Sequence, residues 1–312
     1  MIFAEMKVPG EQFEYILAVL FWRYVKQIKK ELDMRKNRKN NSRTRGKRIC
    51  IVAILLASSL ILAGCGIKKE KIADSELPEI VIGIDYFEPY SYQTDDGQYK
   101  GIDVELAKEA FRRLGYQPKF ERIVWEDKEK LLEAGTIDCL WSCYSMNERE
   151  NKYQWAGPYM YSRQMVVVRA ESEIRTLQDL KGKRIAVQAT TKAEDLFLHN
   201  IESNLPQAEQ VNCFSSSNEL YAALRKNYAD AIAGHEAMLG SLIQDGKGAY
   251  RMLEESPYKS ELGIAFKKGT HEELAEKLTE TLTEMQSEGI TEKIVTKYGL
   301  DADETLPGGE SK

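Results

Sequence analysis

The sequence predicts an α/β fold, in which short β-strands alternate with amphipathic α-helices between residues 78 and 300. The first observation behind this prediction is the apolar run 80–84, which is typical of a buried strand. The second is the recurrence of apolar residues at helical spacing from Val104 to Leu114, directly before a glycine that is expected to end the helix. The third is that the same alternation of strands and helices returns after residue 176.

The remaining elements continue this alternation to the end of the predicted domain. We predict further strands at 119–125, 137–141, 184–189, 230–233 and 263–267. We predict further helices at 128–134, 176–182, 191–197, 219–226, 274–285 and 292–298, and a frayed tail at 301–312. In open α/β sheets, small ligands bind at the carboxyl ends of strands, near the starts of helices. Candidate site residues are therefore expected directly after the strands.

The charge of the chain is unevenly distributed. The 312 residues carry a net charge of -5, but residues 1–64 contribute +8 and residues 65–312 contribute -13. Because phosphate binding requires clustered lysine and arginine, the acidic body argues against a nucleic-acid partner. The hydrophobic content of 43% is ordinary for a globular protein and gives no sign of wholesale disorder.

The basic front end of the chain leads into an apolar run at 49–62. At about 14 residues, this run falls short of the roughly 20 that a membrane-spanning helix needs. A basic region, a short apolar core and small residues are typical of a secretory signal, and a marginal transmembrane anchor is the alternative. The ending Leu62-Ala63-Gly64-Cys65 resembles the lipobox of bacterial lipoproteins, which implies that Cys65 is lipidated and becomes the mature N-terminus.

These features divide the front of the chain into three segments. Residues 1–48 are interpreted as a basic extension. Within it, residues 1–33 are interpreted as a misassigned start or a cleaved segment, because a second start at Met34 would lead directly through a basic stretch into the apolar core. Residues 49–64 contain the signal core and the lipobox, and residues 65–77 are predicted to form a polar tether between the lipid and the folded domain.

Three cysteines follow Cys65, at Cys139, Cys143 and Cys213. Their odd number and irregular spacing predict buried free thiols, although one bridge would be possible in an oxidising exterior. A metal site formed by Cys139, Cys143 and His235 would lack the spacing of a metal-binding motif. We therefore expect neither a metal nor a cofactor.

Six segments of the chain carry a resemblance to a known family. They are Ile82–Tyr92 with its aromatic-proline loop, Lys100–Ala107, Gly135–Asp138, Trp155–Tyr159, Thr176–Thr191 and Glu288–Gly299. In this order they resemble the amino-acid-binding branch of the bacterial extracellular solute-binding proteins, family 3. The resemblance covers residues 78–300, and the succession of six weak motifs makes it specific.

The resemblance implies a two-lobed α/β fold that is similar to the type II periplasmic binding proteins. Each lobe would be a mixed sheet flanked by helices, and the ligand cleft would lie between the lobes. Lobe 1 would comprise 78–161 and 257–300, and lobe 2 would comprise 165–254. The chain would cross between the lobes near 161–164 and again near 255–261, and the lobes would close on the ligand by a hinge motion.

The resemblance also implies a site for a ligand carboxylate. Arg149 lies where the family's carboxylate-binding arginine is expected, and a guanidinium offers a carboxylate a bidentate fork. Ser142 and Ser145 lie just past a strand. In the family the first residue of the threonine pair, here Thr190, donates to the carboxylate at a helix N-terminus. The alternatives are a solvated Arg149, turn capping by the serines and simple N-capping by Thr191.

Further expected contacts concern the ligand's side chain and its amino group. Phe87 and Trp125 resemble positions that sandwich the ligand side chain, and each could instead belong to the core. Asp85 resembles a position that recognises the side chain in some members, and it could instead cap its loop. His235 stands where the family often places an aspartate that pairs with the ligand ammonium. A neutral histidine accepts a hydrogen bond without supplying a charge, and Glu236 is the alternative partner.

The resulting prediction is an extracytoplasmic solute-binding lipoprotein of an ABC importer, which captures an amino acid or a similar small polar solute. Its expected partners are that solute, an ABC permease complex and, through the lipid anchor, the outer face of the cytoplasmic membrane, and the chain is expected to be monomeric. Alternatives on the same fold are an enzyme similar to cyclohexadienyl dehydratase and a ligand-sensing domain. Catalysis would require Glu236, His235 or Cys143 as the reacting group. Cys143 is also predicted to belong to the ligand site. The sequence shows no arrangement of a nucleophile with a neighbouring base.

Overall fold

The computed structural model describes residues 77–202 and 204–308. Its strands are β1 (Glu79–Ile84), β2 (Tyr92–Gln93), β3 (Tyr99–Lys100), β4 (Gln117–Arg122), β5 (Cys139–Ser145), β6 (Gln154–Arg169), β7 (Arg184–Gln188), β8 (Gln210–Phe214), β9 (Ala231–His235), β10 (Tyr250–Met252) and β11 (Tyr258–Phe266). Its α-helices are α1 (Ile102–Leu114), α2 (Lys128–Glu133), α3 (Lys192–Phe197), α4 (Ser217–Arg225), α5 (Glu236–Asp245), α6 (Glu272–Ser287), α7 (Ile290–Lys297) and α8 (Ala302–Thr305). The predictions for 1–48, 49–64, Cys65 and most of the tether 65–77 lie outside the described residues.

Nine of the strands form one mixed sheet. Its order is β4-β1-β5-β11-β6-β9-β7-β8, and β10 pairs with β6. β1 runs parallel to β4 and β5, and β7 runs parallel to β8 and β9, whereas β6 and β11 run antiparallel to their neighbours. Parallel neighbours need crossover connections, which α1, α2, α3 and α4 supply. We call the part with β4, β1 and β5 the first half and the part with β9, β7 and β8 the second half.

The 16-residue strand β6 joins these two halves. Up to Gln164 it pairs with β11, and from Gln164 to Val168 it pairs with β9. Where the chain passes between the halves, Tyr258–Glu261 of β11 lies opposite 161–164 of β6. The two long strands therefore pass side by side between the halves, and one continuous sheet runs through both halves where the sequence predicts a separate sheet for each lobe.

Several helix ends follow the residues that the sequence marks. α1 ends at Gly115, which adopts the left-handed conformation with φ 77°. Ser216 starts α4, because its hydroxyl accepts a backbone N–H over 3.3 Å. Thr176 and Asp179 form the predicted capping box, but the helix that they start is a short 3₁₀ helix, Leu177–Leu180, and not an α-helix.

Two predicted elements differ in the structure. The strand predicted at 119–125 already ends at Arg122, and Trp125 begins a 3₁₀ helix that carries its indole into the core. Part of the predicted frayed tail is helical, since the Asp301 side chain caps α8 and Leu306 buries its side chain behind it. Tertiary burial therefore overrides the local pattern at both places.

The core lies between the sheet and the helices that cover it. Phe111 of α1 and Trp141 of β5 are fully buried, with ring centroids 6.0 Å apart, and Leu278 of α6 belongs to the same cluster. A second cluster in the second half includes Ile185 and Leu196. Burial of such apolar surface is the main favourable contribution to folding. Within residues 77–202 and 204–308, no helix has the combination of length and apolar character that crossing a membrane requires.

Candidate functional site

A cavity lies between the two halves of the sheet and holds about 320 Å³ of space, part of it open to solvent. It is lined by Asp85, Phe87, Trp125, Ser142, Cys143, Tyr144, Ser145, Arg149, Gln188, Thr191, Lys192 and His235. Asp85 directly follows β1, and Ser145, Gln188 and His235 end β5, β7 and β9. The cavity thus occupies the carboxyl ends of strands from both halves, where open α/β sheets bind small ligands.

Eight of the ten ligand residues expected from the sequence line this cavity. They are Asp85, Phe87, Trp125, Ser142, Cys143, Ser145, Arg149 and His235. The fold therefore brings together residues from segments that are far apart in the chain. Their contact with a ligand stays a prediction.

The other two expected residues lie away from the cavity. Thr190 is exposed and adopts a left-handed backbone conformation, with φ 58°, and its Oγ1 accepts a hydrogen bond from Lys128 Nζ over 2.7 Å. The next residue, Thr191, lines the cavity instead. The Glu236 carboxylate turns outward and accepts from the Arg163 guanidinium, with Nε and Oε2 2.8 Å apart. Glu236 lines a separate cleft together with Arg163.

Four lining residues were not expected from the sequence: Tyr144, Gln188, Thr191 and Lys192. Gln188 ends a strand and Thr191 and Lys192 start a helix, both of which the sequence predicts. Their position at the carboxyl end of a strand was therefore the signal that could have identified them. Tyr144 lies between two expected residues, and its ring contacts the Arg149 guanidinium, with the guanidinium carbon 5.2 Å from the ring centroid. No pattern in the sequence marks this position.

Arg149 is one of the cations that connect the two halves at the cavity. Its side chain is only 12% exposed, and its Nη2 lies 2.5 Å from Oδ2 of Asp195 on α3. Its Nη1 also donates to the carbonyl oxygen of Ser145 over 3.3 Å. The guanidinium is thus held at the cavity wall by partners from both halves.

Two buried lysines flank the same cavity. The Lys192 side chain is fully buried, donates to the carbonyl oxygen of Asn147 over 2.8 Å and forms an ion pair with Glu148. Lys128 Nζ lies 5.0 Å from the ring centroid of Trp125. Burial lowers the pKa of Lys128 to about 8, because a desolvated ammonium is disfavoured.

Asp85 and Gln188 meet across the cavity. Gln188 Nε2 donates to Asp85 Oδ2 over 2.6 Å, and the backbone N–H of Tyr86 donates to Oδ1 over 2.7 Å. Burial raises the pKa of Asp85 despite these hydrogen bonds. Two buried polar atoms that line the cavity, Ser145 Oγ and Gln188 Oε1, have no hydrogen-bond partner among the described residues. A bound polar ligand would supply those partners.

His235 is buried at the back of the cavity. Its ring nitrogens lie 3.1 and 3.2 Å from Nε2 of Gln164, and its ring stands edge-on to Phe87 with centroids 5.9 Å apart. Burial lowers the pKa of His235 to about 3, and the positive charges of Arg149 and Lys192 act in the same direction. The imidazole is therefore neutral at pH 7.

Cys143 lies at the cavity floor in a left-handed backbone conformation, with φ 48°. Its backbone N–H donates to Oδ2 of Asp103 over 2.7 Å, and burial raises the pKa of Asp103 to about 7. Burial also raises the pKa of the Cys143 thiol, so that this thiol is a poor nucleophile. Cys139 and Cys143 are buried free thiols, as predicted, whereas Cys213 is exposed because it lies on the edge strand β8.

These features define a class of protein. Two crossing strands join the two halves of a mixed sheet, and a cavity lies between the halves. Cationic, hydroxyl-bearing and aromatic side chains line this cavity. This arrangement is that of a two-lobed binding protein for small polar solutes. The sequence profile of the bacterial extracellular solute-binding proteins, family 3, matches residues 80–301. The chain therefore belongs to this family, and the resemblance and the fold class that the sequence predicted are confirmed.

Named relatives support the same class. The chain is similar to the L-cystine-binding protein TcyJ of Escherichia coli strain K12, with 26% identity over 227 residues, or 71% of this chain and 83% of the relative. It is similar to the histidine-binding periplasmic protein of the same strain, with 27% identity over 256 residues, or 78% of this chain and 96% of the relative. A crystal structure of an ABC uptake transporter substrate binding protein from Streptococcus pneumoniae with bound histidine shares 27% identity and a TM-score of 0.65, covering 72% of this chain and 93% of that chain.

Proposed function

We propose that this protein captures a small carboxylate-bearing solute, an amino acid or a similar molecule, between its two halves and delivers it to an ABC permease. The observation that carries the proposal is the convergence of Arg149, Ser145 and Thr191 on one cavity. A guanidinium, an unpaired buried hydroxyl and the start of α3 together provide a charge and hydrogen-bond donors for a carboxylate. Two relatives are an L-cystine-binding protein and a histidine-binding protein, which supports an amino-acid-like solute.

The cavity walls would hold the remainder of the solute. Phe87 and Trp125 supply aromatic surface for stacking, and Asp85 with Gln188 supplies acceptor oxygens for a polar end group. Ser142 and Cys143 belong to the same wall, and the neutral His235 closes the cavity at the back. Asp85–Gln188 and Lys128–Thr190 are hydrogen bonds between the halves, which fits a cleft that shuts around its ligand. We propose that lobe 1 comprises residues 78–161 and 257–300 and that lobe 2 comprises residues 165–254.

We propose a binding role and no catalytic one. The candidate acid–base groups are not arranged for proton transfer, because Glu236 is engaged by Arg163 outside the cavity and His235 is engaged by Gln164. The thiol of Cys143 is shifted toward its protonated form. A nucleophile with an adjacent, oriented base is what covalent catalysis would require.

We further propose that the protein is a lipoprotein on the outer face of the cytoplasmic membrane. The apolar segment 49–62 and the ending at Cys65 support export followed by lipidation. A diacylglyceryl thioether would provide the two acyl chains that stable anchoring needs. The relatives named as periplasmic or as parts of ABC uptake systems agree with an extracytoplasmic location.

A ligand panel tests the proposed function. The full chain, purified in detergent, should gain thermal stability with one class among L-amino acids and their 2-hydroxy and 2-oxo analogues. Amidines and short polyamines lack a carboxylate, so a shift with these compounds alone would contradict the proposal. The gain should grow with ligand concentration as RT ln(1 + [L]/Kd). Absence of a concentration-dependent shift across the whole panel would contradict the proposed function. The same chain with the exposed Arg112 changed to Ala serves as a control, because this residue lies far from the cavity on α1 and is 66% exposed.

A further inference from the structure

We propose that the preferred ligand carries a carboxylate but no charged ammonium on the neighbouring carbon, so that the cavity prefers 2-hydroxy or 2-oxo acids over the matching L-amino acids. This inference rests on the proposed function, because it concerns the same cavity. It is carried by the charged groups around His235, which lines the same cavity as Arg149, the cation proposed to hold the ligand carboxylate.

His235 offers an ammonium no charge and little acceptor capacity. A neutral imidazole has one N–H and one acceptor nitrogen, and Gln164 Nε2 already lies 3.1 and 3.2 Å from the two ring nitrogens. The ring is 5% exposed, so water does not stand in for a missing partner. An ammonium placed there would find neutral acceptors such as Gln188 Oε1 but no free carboxylate to balance its charge, which is unfavourable for a buried ion.

The nearby carboxylates are committed to other cations. Asp195 pairs with Arg149, Glu148 pairs with Lys192, and Glu236 pairs with Arg163 outside the cavity. None of these three carboxylates belongs to the residues that line the cavity. Among the described residues that line it, Asp85 is the only acidic one.

Asp85 is the one carboxylate that lines the cavity within the described part of the chain, and it lies in the first half, after β1. Its two oxygens already accept from the backbone N–H of Tyr86 and from Gln188. Burial raises the pKa of Asp85, while the hydrogen bonds from Gln188 and Tyr86 lower it. Because neutral donors already engage both oxygens, Asp85 is suited to hydrogen bonding with a polar end group.

Cationic side chains, in contrast, lie close to His235. Arg149 and Lys192 line the cavity, and both charges act against protonation of His235. The Lys128 ammonium nearby has three oxygen acceptors among the described residues, the carbonyl oxygen of Trp125 and both Thr190 oxygens, and none of them is a carboxylate. The positive charges of Arg149 and Lys192, which add to the larger effect of burial in keeping His235 neutral, would also repel a ligand ammonium beside it. A hydroxyl or keto oxygen in that place carries no charge and can accept a hydrogen bond from the imidazole N–H.

Matched ligands test this inference on the full chain in detergent. L-Phenylalanine, L-phenyllactate and phenylpyruvate form one set, and leucine and glutamine with their 2-hydroxy and 2-oxo analogues form two further sets. Within any set that binds, the 2-hydroxy or 2-oxo acid should bind at least about tenfold more tightly than the amino acid, as measured by calorimetry, because a buried unpaired ammonium is disfavoured. An amino acid that binds as tightly as its analogues, or more tightly, would overturn the inference and leave the proposed function intact. Binding by no 2-hydroxy or 2-oxo acid of any set would also overturn the inference, whereas the proposed function is decided by the full ligand panel.

A substitution that introduces a negative charge at residue 235 provides a second test of the inference. His235→Asp places a carboxylate at the back of the cavity and should shift the preference toward the amino acid by at least about tenfold relative to wild type. His235→Asn has the same size as the aspartate but no charge, so it should retain the wild-type preference. If both variants show the same preference, the charge at residue 235 does not set selectivity and the inference fails. If either variant does not fold, which thermal unfolding reveals, the wild-type comparison decides alone.

Discussion

The Arg149 guanidinium and the Asp195 carboxylate form an ion pair between the two halves of the protein, with Nη2 and Oδ2 2.5 Å apart. Arg149 follows β5 in the first half, and Asp195 belongs to α3 in the second half. Both side chains are largely shielded, with exposures of 12% and 29%. A ligand carboxylate that binds Arg149 would have to replace or share this partner, so the pair affects both the affinity for the ligand and the contact between the halves.

Replacing Arg149 by Ala should weaken binding of the ligand identified in the panel by about 2–5 kcal/mol, because a buried carboxylate would lose its charged, hydrogen-bonded partner. Isothermal calorimetry on the wild-type and variant chains measures the change directly. Arg112→Ala, on the exposed face of α1, should bind as the wild type does. An Arg149→Ala chain with unchanged affinity would remove Arg149 from the site.

Replacing Asp195 by Asn should have the opposite effect on binding. The amide keeps the size of the carboxylate but does not compete with the ligand for Arg149, so affinity should rise by about three- to tenfold. The same change should lower the stability of the ligand-free chain by up to about 1 kcal/mol, which is the usual range for a partly exposed ion pair. Glu273→Gln, at a carboxylate that is 81% exposed, is the matched control. Equal or weaker binding by the Asp195 variant would show that the ion pair does not compete with the ligand.

The strand ends that build the cavity could be predicted from local patterns. The apolar run before Asp85, the strand before Gln188 and the helix start at Thr191 are all visible in the sequence, and the carboxyl ends of strands are where ligands bind. These signals depend only on residues a few positions apart in the sequence, so the strands and helices that they predict are also found in the structure. The resemblance that supplied most of the ten expected residues rests on segments near such strand ends, and eight of the ten line one cavity.

The two residues that do not reach it depend on backbone details and long-range contacts. At Thr190 a φ of 58° turns the side chain toward Lys128, and the threonine that lines the cavity is the next one along the chain. At Glu236 the deciding contact is Arg163, 73 residues earlier in the sequence. Neither a single left-handed residue nor a remote ion pair leaves a periodic signal in one sequence.

Replacing Cys65 by Ser should release the protein from membranes, because the hydroxyl cannot form the thioether that would carry two acyl chains. Fractionation of cells that express the full chain, followed by immunoblotting, measures the distribution between membrane and soluble fractions. Cys213→Ser is the matched control, since this exposed thiol lies on β8 in the folded domain. Membrane association that persists in the Cys65 variant would contradict lipidation at this residue.

His235 predicts a loss of stability in acid. Its pKa is lowered to about 3 in the folded chain, against an ordinary value of 6.5. Between these two values the unfolded chain takes up a proton that the folded chain does not, so stability falls as the pH falls from about 6.5 toward 3. Asn at residue 235 has no such proton, so the stability of His235→Asn should fall less over this range. The measurement is the free energy of unfolding by urea at pH 4.5 and at pH 8, where the imidazole is neutral in both states. Parallel profiles for the two chains would show that His235 is not the titrating group.

Lys128 predicts a gain of stability in base. Burial lowers its pKa to about 8, against an ordinary value of 10.5, so the folded chain releases this proton before the unfolded chain does. Between pH 8 and 10.5 the unfolded chain therefore holds more protons, and the contribution of Lys128 to stability rises with pH. Lys128→Met keeps the apolar stem against Trp125 and removes the titration. Because buried tyrosines also titrate in base, the quantity to measure is the difference in unfolding free energy between the wild-type and Lys128→Met chains at pH 7 and at pH 10. That difference should move in favour of the wild type as the pH rises, and a difference that stays constant would mean that the ammonium at residue 128 is not desolvated in the folded protein.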